Sequence, residues 1–420
     1  MGVSDPPQPQ RQKVVLIGGD GGFSGVPRHL RQVVRACNTV AELVVVSDRD
    51  RGGYAFLSEG AARHVQIAGL RTRLSPLWWL RGARRLKAIL MREDPALVWA
   101  HSRMGVLLLR WLILTGQLGR QGNEPLVAIT FHGLPFGPGH HAILAAIARR
   151  VERLSLRRGP LQHLIFLSEA AQAHYREAVG ASLCARHICH VLPNCSDLDQ
   201  VMTEAAWSPP MPVSRLGRPV RHIVMTGRVA RQKNLMRALR ILVELPGNYR
   251  LSVCGAGTDS ADFRKKARRI LGECGLGRVD FLGEVADVRP ILAGADCYLL
   301  TSLYEGMPVG ALEAFEAGLP LALCNIPGTV DLLAQHPLCV GLSDRGDDTP
   351  QEDALRIVAL TEHFCAKRAA AQAEISDAWR SRFSFAARAP EMRRLLVQDL
   401  LPTKAAQAWN SAPQTAAHRH

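Results

Sequence analysis

The feature that most restricts the fold of this chain is a series of short apolar runs, each of which ends in a glycine or a polar residue. After the first run, residues 23–37 carry apolar side chains at helical spacing. Short continuous apolar runs are typical of strands that are buried on both faces of a parallel sheet. In the first half of the chain we assign six such strands, at residues 13–19, 41–48, 96–102, 125–133, 163–169 and 188–194.

The same pattern starts again after residues 205–219, a Pro- and Ser-rich segment that we interpret as a linker. Apolar strands that alternate with helices predict a parallel sheet with helices on both faces. The predicted fold class is therefore α/β, with two Rossmann-like doubly wound parallel-sheet domains that face a cleft. We assign the strands of the second domain to residues 221–227, 249–255, 279–284, 297–302 and 319–325.

The domain boundaries follow from the positions of these runs. We place the first domain at residues 14–203, the linker at 204–220 and the second domain at 221–383. A late helical stretch, residues 384–401, is expected to cross back to the first domain. The polar residues 1–13 and the tail 402–420 lack apolar periodicity and are predicted to be disordered.

Positive charge is concentrated in the first half of the chain. Residues 1–200 hold 25 Lys and Arg against 14 Asp and Glu, a net charge of +11, whereas residues 201–420 hold 27 against 23, a net charge of +4. A basic half indicates a polyanionic partner, either nucleic acid or an anionic membrane surface. Aromatic residues make up 5% of the chain and no nucleic-acid-binding motif is present, so the membrane surface is favoured.

One stretch carries much of this charge together with aromatic residues. Residues 71–94 combine leucines, Trp78 and Trp79 with seven Arg and Lys. This composition is typical of an amphipathic helix that lies in a membrane interface. A surface helix that buries its tryptophans in the protein core fits the pattern equally well.

Cysteine usage and hydropathy indicate a cytoplasmic protein. The ten cysteines are scattered, without a C-x-x-C pair or a metal-ligand spacing, as is typical of reduced core thiols. The N-terminal residues lack the apolar segment of a signal peptide. The longest apolar stretch, residues 105–116, is too short to span a bilayer and contains Arg110.

A glycine-rich turn joins the first strand to the first helix. Such a turn presents backbone N–H groups and a helix N-terminus, which favour an anionic ligand. The G-x-G-x-x-G dinucleotide fingerprint is incomplete, because Ser24 stands where the third glycine belongs after Gly19 and Gly21. Asp48 and Asp50 follow the second strand, where a ribose-binding acid could lie. The incomplete fingerprint nevertheless favours a loop that lets the backbone approach a ligand over an NAD(P) site.

Two cations follow the first strand of the second domain. Gly227 ends this strand, and Arg228 and Lys233 lie five residues apart in a loop that opens a helix. Arginine offers a planar fork of donors and lysine a point charge, which together suit a diphosphate. Two solvated surface cations would give the same spacing.

Two carboxylates lie further along the chain, eight positions apart. Glu305 ends a strand, and Glu313 lies about one turn inside the next helix, after a Gly-Met-Pro turn with free N–H groups. A pair of acids can act as general acid and base, bind a metal ion, or complement a helix dipole. The spacing by itself leaves these three interpretations open.

Together these stretches resemble the motifs of the GT-B retaining glycosyltransferases, family 4 in particular. Residues 302–320 resemble the E-x7-E motif of that family, and residues 227–234 match its G-R-x-x-x-x-K phosphate clamp. Residues 21–30, 130–133 and 191–197 resemble its glycine loop, histidine loop and V-x-P-N-G-V-D strand end. The resemblance covers roughly residues 14–400. Two departures are Cys195, where the family usually has Gly, and Arg28, which lies where many relatives have an acid.

The resemblance implies roles for individual residues. Glu305 would contact the transferred sugar, with His132 beside it. Glu313 would accept hydrogen bonds from the ribose hydroxyls, and Arg228 and Lys233 would bind the diphosphate. The complete set of implied donor-binding residues is Gly21, Gly22, Arg228, Lys233, Gly283, Glu284, Val285, Gly306, Met307 and Glu313.

The implied activity is the transfer of a hexose, with retention, from a UDP- or GDP-sugar. No cofactor or metal is expected, because Arg and Lys replace the cation. The expected acceptor is a lipid-linked glycan in bacterial exopolysaccharide, capsule or lipopolysaccharide assembly, with the protein on the inner face of the cytoplasmic membrane. Two alternatives remain open: a transferase with a small soluble acceptor, and a non-catalytic scaffold that binds sugar nucleotides.

Overall fold

The computed structural model describes residues 11–71, 75–119, 123–136, 140–198, 219–343 and 349–401. The predicted disordered tail lies outside the described residues, as do residues 1–10 and nearly all of the predicted linker. Lys13, where the predicted disordered segment 1–13 and the predicted strand 13–19 overlap, is the first residue of a strand. It pairs with Glu42 in the neighbouring strand.

The first domain is a seven-stranded sheet with the order β3-β2-β1-β4-β5-β6-β7, and every pair is parallel. Its strands are β1 Lys13–Ile17, β2 Glu42–Ser47, β3 Arg63–Gln66, β4 Leu97–Ala100, β5 Leu126–Phe131, β6 Gln162–Phe166 and β7 Ile188–Val191. Its helices are α1 Gly25–Cys37, α2 Pro76–Glu93, α3 Arg103–Leu114, α4 Ala142–Arg158, α5 Glu169–Val179 and α6 Ala181–Cys184.

The second domain is a six-stranded parallel sheet with the order β10-β9-β8-β11-β12-β13. Its strands are β8 Arg221–Thr226, β9 Tyr249–Cys254, β10 Val279–Gly283, β11 Cys297–Leu300, β12 Leu321–Cys324 and β13 Cys339–Leu342. Its helices are α7 Leu235–Glu244, α8 Ala261–Leu276, α9 Arg289–Ala293, α10 Val309–Glu316, α11 Val330–Gln335, α12 Pro350–Ala366 and α13 Arg368–Arg382.

Both sheets are covered on both faces, as the apolar runs predict. In β1, Val15 and Ile17 pack into the core under α2 and α3, while Val14 and Leu16 pack into the core under α1. Successive side chains of a strand point to opposite faces, so each run of four apolar residues contributes side chains to two cores. The prediction of two Rossmann-like doubly wound domains is confirmed.

Two strands were not predicted from the sequence. β3 and β13 are four-residue edge strands, and most of their residues are partly or fully exposed. β3 is polar at three of its four positions and Gly341 interrupts β13, so neither shows the continuous apolar run by which the central strands are recognised. The sheets therefore have seven and six strands where the sequence predicts six and five.

The chain returns to the first domain at its C-terminal end. Helix α14, Phe385–Arg394, packs on α1 and continues into a π-helical turn, Leu395–Leu400. Met392, Leu395 and Leu396 enter the same core as Val14 and Leu16 of β1. The core of the first domain is thus completed by residues that follow the whole second domain.

Helix α2 occupies most of the stretch for which the sequence leaves two interpretations open. It packs onto the sheet through Leu86, Ile89 and Leu90, and Trp79 packs partly against the same core. Trp78 and Trp79 are half-buried, although Leu77 in the first turn is exposed. The tryptophans thus favour the interpretation as a surface helix. Among the described helices, none is both long and apolar enough to cross a membrane.

Candidate active site

The C-terminal ends of β8 and β11 face the first domain and carry the predicted clamp. β8 ends at Thr226, and Gly227 then turns the chain with a φ of 155°. A side chain at Gly227 would meet the aliphatic part of Lys233 at 2.9 Å, so the lysine stem lies directly over this turn. Glycine is therefore required both for the backbone conformation and for the close approach of Lys233.

Glu305 is fixed by three donors in the loop that follows β11. Its Oε1 lies 2.7 Å from Lys233 Nζ and 2.7 Å from Ser302 Oγ. Gln232 Nε2 lies 3.3 Å from Oε2 and also donates to the carbonyl of Tyr304 at 2.9 Å. The two charges predicted to act on the diphosphate and the sugar are thus paired with each other, in a site where both side chains are largely buried.

Lys233 retains capacity for a ligand in this arrangement. An ammonium group has three donors, and the ion pair with Glu305 uses one of them. Arg228 lies at the start of the same loop, is exposed, and makes no ion pair with another described residue. The two cations can therefore approach one anionic ligand from the same loop.

The backbone of the first domain closes over the loop that carries Glu305. A side chain at Gly306 would overlap the carbonyl group of His132, and the Gly306 nitrogen lies near Gly133. The rings of Tyr304 and His140 are 3.9 Å apart between centroids, and Arg103 lies over the Tyr304 ring. The two domains thus meet at the residues that the sequence places next to the reaction.

The N–H groups of Gly306 and Met307 are available at this contact. Within the described parts of the chain, neither N–H donates to a backbone or side-chain acceptor. Met307 is buried, and its carbonyl accepts a hydrogen bond from Asn194 Nδ2 at 3.0 Å. Asn194 belongs to the predicted strand end of the first domain, so this bond fixes the turn across the cleft.

Glu313 is buried in α10 and forms an ion pair with Arg28 of α1. Burial raises the pKa of the Glu313 carboxyl above its ordinary value, and the charge of Arg28 opposes this rise. A carboxylate in this position needs a donor, because an unpaired buried charge is strongly disfavoured. Arg28 supplies that donor from the other domain.

A pocket of about 310 Å³ lies beside this ion pair, between α1 and the second domain. Arg28, Glu313, Asp287 and Val288 are among the residues that line it. Asp287 and Val288 follow closely on the predicted base-binding residues Gly283, Glu284 and Val285. The carboxylate predicted to bind ribose and the segment predicted to bind the base therefore border one space.

The predicted base-binding segment begins in a turn that only glycine fits. Gly283 has a φ of 69°, and its N–H donates to Thr258 Oγ1 at 3.0 Å. Its carbonyl accepts from Gly255 N at 2.6 Å, which ties the end of β10 to the end of β9. Glu284 is exposed and Val285 is half-buried, so both can be reached by a ligand.

Three imidazoles lie behind the cleft in the first domain. The ring nitrogens of His29, His101 and His132 lie within 4.8 Å of one another. Burial lowers the pKa of His29 to about 4, although Asn194 opposes this shift. The pKa values of His101 and His132 are also well below 6.5, because of burial and the neighbouring imidazoles. The three side chains are therefore neutral at pH 7, and they are the group among the described residues that could hold a metal ion.

The glycine loop of the first domain packs against its neighbours more than the sequence suggests. The carbonyl of Gly21 accepts from Arg51 N and Gly53 N, at 2.9 Å and 3.0 Å, and Gly22 lies against the Arg51 side chain. The loop reaches the second domain a few residues later, where Gly25 lies against Val309. Gly21 and Gly22 thus lie shortly before Gly25, at which the loop contacts the second domain.

Asp48 and Asp50 have structural roles. Asp48 accepts hydrogen bonds from the backbone of Gly69, Leu70 and Arg71, and Asp50 accepts from Gly52 and Tyr54. Their carboxylates are therefore occupied in holding loops after β2 and β3. This arrangement agrees with the preference against an NAD(P) site.

Sequence reasoning missed several residues of the site. Gln232 and Ser302 were not singled out, although one precedes Lys233 and the other lies three residues before Glu305. Gly310 was also missed; a side chain there would overlap the hydroxyls of Thr226 and Tyr298, which are hydrogen-bonded at 2.8 Å. The sequence gives one indication of Gly310, because a second small residue, Ala311, follows it in the first turn of α10.

Two family models match the two domains in turn. The model described as "Glycosyltransferase Family 4" matches residues 23–200, and the model described as "Glycosyl transferases group 1" matches residues 220–362. The chain belongs to the family 4 glycosyltransferases. Together the two matches include the Arg28 segment, the Lys233 loop and α10.

Solved structures share the fold of this family 4 glycosyltransferase. The structure of HepE from Anabaena, in complex with UDP and glucose, has a TM-score of 0.68 and 17% identity, and the comparison covers 95% of this chain and 100% of HepE. At this identity the likeness is evidence for the fold alone. It agrees with the GT-B arrangement of two facing domains.

Curated relatives match over shorter segments. The 2-deoxystreptamine glucosyltransferase of Streptomyces kanamyceticus is 28% identical over 200 residues, which is 44% of this chain and 48% of the relative. The UDP-Gal:alpha-D-GlcNAc-diphosphoundecaprenol alpha-1,3-galactosyltransferase of Escherichia coli is 45% identical over 51 residues, which is 12% of this chain and 13% of the relative. The chain spans about half the length of the first curated relatives it matches, or less.

Proposed function

We propose that this family 4 glycosyltransferase transfers a hexose, with retention, from a UDP- or GDP-sugar to a lipid-linked glycan in bacterial surface polysaccharide assembly. The observation that carries the proposal is the Lys233–Glu305 ion pair, which lies next to Gly306, where the second domain contacts the His132 backbone of the first. A cation for phosphate and a carboxylate for sugar are held there within one hydrogen bond of each other.

Each charged group has a distinct task in the proposed reaction. Cleavage of the bond between the sugar and the diphosphate leaves negative charge on the phosphate, which Lys233, Arg228 and the N–H groups of Gly306 and Met307 stabilise. Glu305 holds the hexose while positive charge develops at its anomeric carbon. The acceptor hydroxyl attacks from the face that the phosphate leaves, the new glycosidic bond forms there, and the phosphate oxygen takes the hydroxyl proton.

Glu313 and the pocket beside it bind the nucleoside in this proposal. Its carboxylate accepts hydrogen bonds from the ribose hydroxyls, while Gly283, Glu284 and Val285 border the base. The ribose competes with Arg28 for this carboxylate, because both are hydrogen-bond donors. Arg28 can then turn toward the diphosphate, which carries the opposite charge.

A direct test combines a donor panel with two acceptors. Binding of the correct donor to the folded protein raises its melting temperature by mass action, so UDP-, GDP- and ADP-sugars are compared by thermal shift. The preferred donor is then supplied with either a polyprenyl-diphosphate glycan or a soluble sugar, and the anomeric configuration of the product is read by NMR. An inverted product would contradict the retention mechanism, and the absence of any donor-dependent shift would contradict the function.

A small soluble acceptor is the second candidate. The similarity to an enzyme named for 2-deoxystreptamine favours it, whereas the similarity to an enzyme named for a diphosphoundecaprenol substrate favours a lipid-linked acceptor. Transfer to the soluble acceptor alone in the assay above would select this candidate. A protein that binds the donor but transfers to neither acceptor would fit the non-catalytic scaffold.

Metal independence is part of the proposal, since Arg228 and Lys233 carry the charge that a metal ion would otherwise supply. We expect transfer to continue at an unchanged rate in excess EDTA. Because His29, His101 and His132 could hold a metal ion, the protein is also analysed for bound metal before and after chelation. A chelator-sensitive rate that is restored by one divalent metal would contradict this part of the proposal.

A further inference from the structure

Helix α4 exposes a stripe of large apolar side chains. Ile143 is 65% exposed, Ile147 54% and Leu154 36%. These residues follow one another at intervals of four and seven, so they lie on one line along the helix surface. Leu144 in the first turn is 58% exposed and widens the stripe at its N-terminal end.

The opposite face of α4 accounts for how the helix is attached to the domain. Ala145, Glu152, Ser155 and Leu156 are buried there. Glu152 pairs with Arg110 of α3 at 2.6 Å, inside the interface between the two helices. The exposed stripe is therefore not required to hold the helix on the sheet, and its apolar side chains face away from the core.

Positive charge accompanies the stripe. Arg149, Arg150, Arg157 and Arg158 lie along its length, and Glu152, the only acidic residue of α4, is buried against Arg110. Arg153 is already used, because it donates to the carbonyls at the end of α5. An open groove of about 770 Å³, lined by Ile147, Leu154 and several of these arginines, runs along the helix.

We propose that this face of α4 binds the surface of an anionic lipid bilayer. Exposed isoleucines and leucines beside arginines form the pattern that inserts apolar side chains below the headgroups while the guanidinium groups contact phosphates. Charge also favours an anionic bilayer over a second copy of the chain. A second copy of the chain would bring two arginine-rich faces together, and like charges oppose that contact.

The position of α4 connects this surface to the active site. The helix starts at Ala142, and the ring of His140 just before it lies against that of Tyr304, the neighbour of Glu305. The apolar end of the stripe, Ile143 and Leu144, is thus the end nearest the cleft. This inference rests on the proposed lipid-linked acceptor. Helix α4 holds the cleft entrance at the bilayer, where the diphosphate of such an acceptor lies.

This assignment differs from the one the sequence suggests, which centres on Trp78 and Trp79 of α2. Both tryptophans are half-buried, and Trp79 packs partly against the core. Leu77 and Leu80 remain exposed in the first turns of α2, so α2 is the rival surface in any test.

The test is co-sedimentation of the full chain with vesicles of phosphatidylglycerol and phosphatidylcholine in equal parts, and with vesicles of phosphatidylcholine alone. We expect binding to the anionic vesicles only, and weaker binding as the ionic strength rises. The double substitution Ile143→Asp with Ile147→Asp, and separately Arg150→Glu with Arg157→Glu, should each reduce partitioning by about tenfold or more. The matched control is Leu355→Asp on α12, because Leu355 is 71% exposed in the other domain.

Three results would overturn the inference: no binding of the wild-type chain to anionic vesicles, unchanged binding of both double variants, or loss of binding on Leu77→Asp alone. Donor binding is measured in parallel by thermal shift without lipid, and the α4 variants should retain it. A chain that sediments as expected but binds no nucleotide sugar would contradict the proposed function and leave the lipid surface intact. A chain that binds donor but no vesicles would contradict the lipid surface and leave the proposed function intact.

Discussion

Lys233 and Glu305 form an ion pair although the proposed reaction assigns them to different parts of the donor. The pair holds Lys233 over the Gly227 turn, and Ser302 and Gln232 hold Glu305 from the other side. A positioned lysine stabilises the leaving phosphate better than a free one, because its charge needs no reorganisation when the bond breaks.

The first prediction concerns these two residues. We expect Lys233→Met and Glu305→Gln each to lower kcat by about 100-fold or more, the usual effect of removing one preorganised charged contact to a transition state. Far-UV circular dichroism and melting temperature should show an intact fold. Lys265→Met, on the exposed face of α8, is the matched control and should keep the wild-type rate. Wild-type turnover in either site variant would refute the assignment.

A second prediction concerns Glu313. Glu313→Gln keeps the shape of the side chain but removes the charge that is proposed to accept hydrogen bonds from the ribose hydroxyls, so we expect the KM for the donor to rise about tenfold with a smaller change in kcat. The exposed Glu362 of α12 provides the control substitution, Glu362→Gln. If the donor KM stays unchanged while kcat falls, Glu313 acts in the chemical step and the ribose role is wrong.

The ion pair between Arg28 and Glu313 shows what cannot be read from local sequence. The two residues are 285 positions apart, and they meet because α1 of one domain faces α10 of the other. Arg28 attracts notice in the sequence only as a departure from an acidic residue in relatives. Its partner depends on how the domains dock, which no local pattern encodes.

At the level of single elements, the central strands and the edge strands β7 and β10 were predictable, whereas the edge strands β3 and β13 were not. The run that gives β1 is apolar at four successive positions because both of its faces are buried, and the same holds for β4. β3 reads Arg-His-Val-Gln and has solvent on its open edge, so its composition is that of a loop. Burial on both faces thus makes the central parallel strands recognisable in the sequence.

Helix α10 offers a third prediction, because Gly310 determines how closely it approaches the sheet. A methyl group at this position would overlap the hydroxyls of Thr226 and Tyr298. Gly310→Ala should therefore displace the helix and its Glu313, and lower the free energy of unfolding by about 1–3 kcal/mol. Urea unfolding measures the loss, and the donor KM measures the displacement.

The control for Gly310→Ala is Gly277→Ala at the end of α8. Gly277 has helical backbone angles, with φ at −65°, and a methyl group there would meet nothing closer than the Cys274 carbonyl at 3.7 Å. Alanine should be neutral or slightly stabilising at such a position, because it restricts the unfolded chain. Equal losses in the two variants would show that the contact with Thr226 and Tyr298 is unimportant.

For the whole molecule, buried histidines predict that stability falls in mild acid. Burial lowers the pKa of His29 and His163 to about 4 and that of His336 to about 3, and it also lowers the pKa of His101 and His132. Between about pH 6.5 and 4 the unfolded chain binds protons at these groups and the folded chain does not, so the free energy of unfolding decreases as the pH falls. Above about pH 7 these groups should not make the free energy of unfolding depend on pH.

Urea unfolding at several pH values between about 7.5 and 4.5 measures this slope. Each such histidine contributes up to about 1.4 kcal/mol per pH unit. His101→Phe should reduce the slope by about this amount, because the ring nitrogens of His101 have no hydrogen-bond partner among the described residues. A slope that is identical in the variant would show that His101 is protonated in the folded protein.

The cluster of His29, His101 and His132 shows the limit of prediction for the site as a whole. His132 follows β5 and could be placed by its motif, whereas His29 lies in α1 and His101 directly follows β4. Polar residues at the carboxyl ends of parallel strands are expected to converge at one edge of the sheet. Convergence of a helix residue with them depends on the packing angle of α1, which the sequence does not display.

The return of the chain to its first domain has a practical consequence for anyone who wishes to produce that domain alone. A fragment that stops before Phe385 keeps all seven strands but leaves Val14 and Leu16 of β1 without the side chains of Met392, Leu395 and Leu396. The place to rejoin the chain is already indicated, because Ser196 N donates to the carbonyl of Phe383 at 3.1 Å. A short engineered connection from Ser196 to Ser384 would excise one sheet and leave the other with its full hydrophobic cover.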